Sequence, residues 1–275
     1  MDALSSCFRA VFTSLSGAGG GEVDLNGRVL KVLRVLGEGG YSFVYLVRDA
    51  QSGEELALKK MLCQSSEQLE DARREIEVMQ TFKHAALLEL IDSDTHRAGN
   101  RAQGVHIVHF LFKAYKDGTL LDLVEGSDYV HPIITLRIFL SVCEGVQCMH
   151  TSTGTPYAHR DIKPHNVLLE RKTAAASQVK VLDHFSAVLM DFGSSRPARV
   201  TVDGRMAALR LQEEAEAHST ATYRAPELFD VPSQFALDER SDVWSLGCLL
   251  YYMVFGQSPF EHVLAQAGGS LALAV

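Results

Sequence analysis

Apolar residues come in short strand-like runs over the first third of the chain and at helical spacing after it. The β-branched and Leu-rich run at 29–36 meets a glycine cluster and then a second apolar run at 43–47, which predicts a hairpin. A further stretch, 56–58, ends in Lys59 and Lys60. Leu69, Ala72, Ile76 and Met79 then fall at helical spacing, with Ser65 and Gln68 placed as a capping box. Residues 105–112 read as a strand again. Beyond about residue 120, Leu136, Phe139, Leu140, Cys143, Val146 and Met149 recur with a 3.6-residue period and predict a helix of four turns. Two short strand candidates follow at 167–169 and 187–190. The longest nearly apolar run, VWSLGCLLYYMVF at 243–255, falls short of the roughly twenty residues that span a bilayer and predicts a buried core helix.

Residues 1–27, rich in Ser and Gly, read as a flexible tail; 28–113 form a β-rich lobe and 114–275 an α-rich one. The expected fold class is therefore α+β with two lobes, and clefts between such lobes are common ligand sites. There is no internal repeat.

Charge narrows the partners. With 34 acidic against 26 basic side chains the net charge is −8, which argues against sequence-independent binding to nucleic acid or to an anionic membrane. The cysteines Cys7, Cys63, Cys143, Cys148 and Cys248 are odd in number and contain no Cys-x-x-Cys pair. Neither a disulfide framework nor a cysteine-built zinc site is expected, and a reducing compartment fits better. The N-terminus lacks a signal-peptide pattern, and Asp2 stands where N-myristoylation requires glycine. Cys7 remains a single acylation candidate, and one acyl chain anchors only weakly.

The chemistry-bearing motifs are individually weak. Gly37-Glu38-Gly39-Gly40 lies between two predicted strands, where glycines let backbone N–H groups approach phosphate oxygens; a plain structural turn reads the same way. The loop is not a Walker A motif, since no Lys-Ser/Thr follows the glycines, and a strand stands where a Rossmann fold needs a helix. Lys59 ends an apolar strand, either as a solvated strand end or as a cation over nucleotide phosphates held by a carboxylate. Glu75 is the candidate partner and Glu77 competes with it. His159-Arg160-Asp161-Ile162-Lys163-Pro164-His165-Asn166 reads either as a plain charged surface loop or as a site in which Asp161 accepts a hydroxyl proton, Lys163 neutralises a phosphoryl group and Asn166 offers an amide oxygen to Mg²⁺. Its spacing just before a Val-Leu-Leu strand makes it the more specific motif. Met190-Asp191-Phe192-Gly193 supplies a second metal carboxylate, Asp191. Ala225-Pro226-Glu227 and Asp242-Val243-Trp244-Ser245-Leu246-Gly247 complete the set.

Six motifs in this order resemble the eukaryotic protein kinases, whose signature set they match from about Arg28 onward. Within that superfamily, LGEGGYSFV at 36–44, AHRDIKP at 158–164, YRAPELF at 223–229 and DERSDVWSLG at 238–247 resemble the Numb-associated kinase family. The resemblance implies a bilobal kinase fold and a non-specific protein serine/threonine kinase that uses ATP and Mg²⁺. It places ATP against Leu36, Gly37, Glu38, Gly39, Gly40, Val44 and Ala57 above and Leu168 below, with Phe112 at the back and 113–115, including Tyr115, as hinge backbone. Lys59 would hold the phosphates with Glu75, Asn166 and Asp191 would hold Mg²⁺, and Asp161 with Lys163 would serve the acceptor hydroxyl. Lys163 after His-Arg-Asp-Ile, and Thr220 three residues before Tyr223, follow the Ser/Thr pattern, so proteins bearing Ser or Thr are the expected substrates. Arg160 either binds a phosphate on Ser194, Ser195, Ser219, Thr220 or Thr222 of the activation segment, or simply braces the loop.

Three departures from the family pattern stand out. Ser42 replaces the third glycine of the loop. Residues 170–186 lengthen the connection between Asp161 and Asp191 and read as a surface insertion, which loop-closure entropy makes inexpensive. The chain stops soon after the apolar helix, so a truncated second lobe is expected, without the arginine that pairs with the Glu227 position. Two other functions compete with the kinase: a non-catalytic interaction module on a kinase scaffold, and a small-molecule kinase. The resemblance further points to a cytoplasmic protein, peripheral on Golgi or other endomembranes.

Overall fold

A computed structural model describes residues 21–98, 104–127, 129–172, 184–264 and 269–275. Contacts divide the chain into one unit of Met1–Gln80 with Glu89–Ala114 and a second of Thr81–Leu88 with Tyr115–Val275. With a β-rich first part and a helical second part, the fold class is the expected α+β one.

The first unit is a six-stranded antiparallel sheet in the order β1-β2-β3-β4-β6-β5. Its strands are β1 (Glu22–Leu25), β2 (Arg28–Glu38), β3 (Ser42–Asp49) and β4 (Glu55–Cys63), then, after helix α1 (Ser66–Thr81), β5 (Leu90–Arg97) and β6 (His106–Lys113). β1 corrects the extent of the tail: residues 22–25 pair with β2 through an Asn26-Gly27 turn whose two residues have φ of 53° and 86°. Both lie in the left-handed region that the tightest hairpin turns demand and that Asn-Gly supplies at little cost. Residues 1–20, with Cys7, lie outside the described set.

Strand alternation gives the sheet two faces. On one, Tyr45, Val47, Leu56, Leu58 and Leu111 pack with Val23, Leu25 and Leu30 into a closed apolar cluster. The same face continues to Phe43, Lys60 and His109, which are register partners across β3, β4 and β6. His109 is buried, and that burial, aided by the charge of Lys60, pushes its pKa down to about 4, so the ring is neutral. The opposite face carries Val44, Ala57, Lys59, Phe110 and Phe112.

Helix α1 starts where expected, with one change of detail. Ser65 Oγ accepts from the Gln68 N–H at 3.1 Å, but the Gln68 side chain accepts from Gln64 N–H rather than from that of Ser65. The helix buries Leu69, Ala72, Glu75, Val78 and Met79, while Ile76 is only partly covered.

The second unit holds α2 (Leu120–Glu125), α3 (Pro132–His150), β7 (Tyr157–Ala158), β8 (Val167–Lys172), β9 (His184–Leu189), β10 (Arg196–Pro197), β11 (Val200–Asp203), α4 (Arg205–His218), β12 (Gln234–Leu237), α5 (Arg240–Phe255), α6 (Glu261–Leu264) and α7 (Leu271–Ala274). Thr119 and Asp122 form a reciprocal capping box at α2. Helix α3 exists as predicted but faces the core with a different stripe. Thr135, Ile138, Val142, Gly145, Val146 and Met149 are buried, whereas Leu136 and Leu140 are 60% and 58% exposed. The helix is apolar on nearly all sides, so its pattern does not set its rotation. A close approach does: a Cβ at Gly145 would stand 3.0 Å from Ala86 O, so the backbones touch there.

Helix α5 is likewise buried on one side only. Asp242, Ser245, Leu246, Cys248, Leu249, Tyr252 and Met253 are covered, while Val243, Val254 and Phe255 are exposed. The expected buried core helix is present but buried on one face, because an all-apolar run does not report which side has a neighbour.

The ends of the 170–186 insertion are also more ordered than a surface loop. Glu170, Arg171 and Lys172 pair with Ser186, Phe185 and His184, extending the β8–β9 ladder to six pairs. Arg171 N–H donates to the Asp117 carboxylate at 2.7 Å. Residues 173–183 lie outside the described set.

Candidate active site

In the first unit, the pairing of β4 with its neighbours places the candidate residues on one sheet face. Val44, Ala57, Lys59 and Phe112 share it, and Gly37 joins them as the register partner of Val44. The Lys59 ammonium lies 2.8 Å and 3.1 Å from the two carboxylate oxygens of Glu75 and 5.2 Å from the centre of the Phe110 ring. The open choice between two glutamates is thereby decided: Glu75 is 3% exposed on the inner side of α1, and Glu77 is exposed. A buried carboxylate gripped at both oxygens costs much to strip of its cation. Lys59→Met is therefore expected to lower stability by roughly 1–3 kcal/mol, measurable as a shift in the urea midpoint with an unchanged slope.

The turn between β2 and β3 is closed by Gly39 N–H donating to Ser42 O at 2.8 Å. A Cβ on Gly39 would meet Ser42 Oγ at 2.9 Å, whereas on Gly37 or Gly40 it would meet nothing within 4 Å. Among the described residues, then, packing asks for glycine at only one of the three positions. Leu36 and Glu38 flank this turn, and Leu36 is exposed.

In the second unit the catalytic-loop motif folds around one carboxylate. Asp161 is 8% exposed, and its Oδ1 accepts from Thr220 N–H at 3.1 Å and Thr220 Oγ1–H at 2.7 Å. Its Oδ2 lies 2.8 Å from the Lys163 ammonium and accepts from Asn166 Nδ2 at 3.1 Å. Lys163 also donates to Thr220 Oγ1 at 2.8 Å, which closes the cluster. Four donors from three side chains and a backbone thus hold the carboxylate in one orientation.

Asn166 commits its amide nitrogen to this cluster, donating to Asp161 O at 2.8 Å as well, so its carboxamide oxygen points the other way. Met190 N–H donates to Asn166 O at 2.8 Å, which brings the next residue, Asp191, alongside. Asp191 has a φ of 67°, a left-handed conformation costing a non-glycine residue about 1–2 kcal/mol. Leu168, one strand position further on, pairs with Val188 and bridges to Thr119. Tyr115 belongs to this second unit as well.

The loop hangs from residues that motif spacing left without a role. Asp242, fully buried at the start of α5, accepts from His159 N–H at 2.7 Å, from Arg160 N–H at 2.8 Å and from His150 Nε2 at 2.8 Å. These bonds hold Arg160 at a φ of 65°. His159 is fully buried edge-on to Phe192; its Nδ1 accepts from Asp161 N–H and its Nε2 donates to Met190 O, which assigns the neutral Nε2–H tautomer.

Arg160 does not face an empty phosphate site. Its guanidinium donates to Pro197 O at 3.1 Å and lies 3.5 Å from the Glu214 carboxylate, which Arg196 also grips at 2.9 Å. Burial lowers the Arg160 pKa while Glu214 and Asp242 act to raise it. Glu214 lies on α4, inside the 191–227 segment, whose Val202, Ala208, Leu211 and Ala215 pack with Leu228, Val231 and Leu237 just beyond it into a small core. Helix α4 was not anticipated, although the small and apolar residues Ala208, Leu211 and Ala215 at helical spacing signal it. Ser245 Oγ donates to Tyr223 O and Ser258 Oγ to Thr222 O, anchoring the end of the segment.

A β-rich unit with a strand lysine on a helix glutamate, and a helical unit with an Asp-Lys-Asn-Thr cluster beside Asp-Phe-Gly, are the parts of a protein kinase domain. The family model for the protein kinase domain matches residues 30–270. The chain is 38% identical to a probable serine/threonine-protein kinase of Dictyostelium discoideum, over 92% of this chain and 82% of the relative. It is 38% identical to serine/threonine-protein kinase 16 of Homo sapiens, over 93% of this chain and 78% of the relative. A serine/threonine-protein kinase of Schizosaccharomyces pombe is 30% identical over 92% of this chain and 79% of its own length. The chain belongs to the protein kinase family, among the eukaryotic serine/threonine kinases.

Proposed function

We propose that this protein transfers the γ-phosphoryl group of Mg-ATP to serine and threonine hydroxyls of proteins, itself included, and that it falls in the Numb-associated group of kinases. The observation that carries the reading is the Asp161 cluster, in which a carboxylate is fixed by Lys163, Asn166 and the Thr220 hydroxyl. That arrangement suits an alcohol as acceptor, since one alcohol side chain already donates to it.

The residues present fit a nucleotide with a hard divalent cation. Asn166 commits its amide nitrogen to Asp161, and the Met190 N–H to Asn166 O bond keeps Asp191 near it in the fold; an amide oxygen and a carboxylate make the all-oxygen donor set that Mg²⁺ prefers. Gly37 and Gly40 leave room that the chain's own packing does not require, as expected where a backbone must admit phosphate oxygens. Bound Mg-ATP supplies the transferable phosphoryl group and neutralises part of its charge. Lys59, steadied by Glu75, holds phosphate oxygens; Leu36, Glu38, Gly39, Val44, Ala57, Phe112, Tyr115 and Leu168 bind the nucleotide; Asn166 and Asp191 hold the cation. Asp161 orients the acceptor hydroxyl and takes its proton late in transfer, and Lys163 offsets charge on the moving phosphoryl group.

Arg160 braces the loop, because Glu214 and the Pro197 carbonyl already occupy its guanidinium. The activation segment then needs no phosphate, and Ser195 is in any case fully buried.

Radiolabel from Mg-ATP is expected to reach the purified chain and a generic protein acceptor, including in material that mass spectrometry shows to be unphosphorylated across 191–227. Asp191→Ala is expected to abolish it. A folded chain that transfers nothing would sink the catalytic reading in favour of a non-catalytic binding module, and transfer to sugars or amines but not proteins would favour a small-molecule kinase.

A further inference from the structure

We infer that Asp94, His96 and His109 form a binding site for a divalent transition-metal ion of the Zn²⁺ class, on strands β5 and β6 and on the sheet face opposite Lys59. The three side chains each offer a ligand atom, and these atoms lie within 4.8 Å of one another. Strand register brings them together. Asp94 on β5 is the direct partner of His109 on β6, and His96 follows Asp94 by two residues, on the same face.

His109 is what separates this cluster from an ordinary surface group. It is 4% exposed, and among the described residues neither ring nitrogen has a hydrogen-bond partner. Buried polar atoms without partners are rare enough to ask for a reason, and ion binding is a recognised one. The ring lies beside His96, with centroids 5.3 Å apart. His96 Nδ1 in turn sits 2.6 Å from Asp94 Oδ2.

The donor set selects the ion. Two imidazoles and a carboxylate match zinc sites with three protein ligands and a fourth position for water, at metal–ligand distances of about 2.0–2.2 Å. Magnesium and calcium prefer oxygen alone. Closing the set requires the ligand atoms to draw nearer one another than 4.8 Å, and His96, nearly half exposed, is free to rotate toward the others. One group opposes the ion: Lys60, buried on β4 directly across from His109. The Asp94 carboxylate offsets it. An ion held here would tie the edge strand β5 to β6.

This face is not that of the kinase residues. Lys59 and Lys60 are adjacent on β4, so their side chains leave opposite sides of the sheet. The site therefore stands whether or not the chain transfers phosphate.

The test is a titration of the chelator-treated full chain with Zn²⁺ by calorimetry, and with Co²⁺ by visible absorption. One equivalent of Zn²⁺ and the intense bands of tetrahedral Co²⁺ are expected, unaffected by excess Mg²⁺. His96→Ala and Asp94→Asn, both at partly exposed side chains, are expected to weaken binding by about tenfold or more. Lys60→Met is expected to tighten it. Thermal unfolding in chelator checks that each variant is folded, and His96→Ala decides the matter if a change at a buried position is not tolerated. Absent binding, equal binding by wild type and His96→Ala, or displacement by Mg²⁺ overturns the proposal.

Discussion

Asp161→Asn is expected to lower the rate of phosphoryl transfer by about 10²–10⁴-fold, the range lost when a positioned acid–base group is removed. The geometry makes the change more than a loss of charge. Both carboxylate oxygens accept: Oδ1 from the Thr220 N–H and hydroxyl, and Oδ2 from Lys163 and Asn166. An asparagine NH₂ at either place turns an acceptor into a donor and confronts it with the donors that the carboxylate oxygen now accepts from. Lys163 or Thr220 must then move, and the acceptor hydroxyl loses both its base and its guide. Because Asp161 binds no part of ATP in the proposed reading, the loss should fall on kcat, with KM for ATP little changed. Initial-rate kinetics on a variant with a wild-type unfolding midpoint checks this. Transfer at the wild-type rate would remove Asp161 from the chemistry.

Asp242→Ala is expected to destabilise the protein by about 3–5 kcal/mol, the range for breaking a buried charged network from one side. Its carboxylate is fully buried and receives two backbone N–H groups and an imidazole from residues 150, 159 and 160, more than 80 positions away in sequence. Alanine removes the carboxylate that those donors share and leaves the buried backbone N–H groups of His159 and Arg160 without it. For a chain of this size that corresponds to a fall of about 10 °C or more in the unfolding midpoint. The loss should also reach activity, since Arg160 is held in its left-handed conformation next to Asp161 by one of these bonds. Asp242→Asn keeps one acceptor and should cost less. Chemical denaturation, with hydrogen exchange at the 159 and 160 amides, separates the two variants. A midpoint unchanged in Asp242→Ala would show that the loop is anchored elsewhere.

Much of the candidate site was legible in the chain because it depends on short spacing. Asp161, Lys163 and Asn166 lie within six residues, so a single loop conformation suffices to gather them. Lys59 and Glu75 required more, and the choice of Glu75 over Glu77 was open until the rotation of α1 was known. Glu214 was invisible as a partner of Arg160: nothing in a local pattern states that a helix forms inside the 191–227 segment and turns that carboxylate onto a guanidinium. Asp242 was visible as part of a motif but not as a hydrogen-bond acceptor. The Asn26-Gly27 turn could have been read, since that dipeptide flanked by apolar residues is a strong hairpin signal, yet the neighbouring glycine-rich stretch masked it.

The amino-acid sequence by itself determined the class of fold, the larger strands and helices, and the residue types of the candidate site, because periodicity, turn chemistry and motif spacing are local properties of the chain. Only the tertiary structure decided which side of an apolar helix is buried, as Leu136 and Leu140 show against Ile138 and Val142, and which distant carboxylate holds the catalytic loop. It also decided that His109 is buried opposite Asp94 and near His96, with no hydrogen-bond partner for either nitrogen among the described residues. Burial and hydrogen bonding between residues far apart in sequence are set by packing against neighbours, and no window along the chain contains those neighbours.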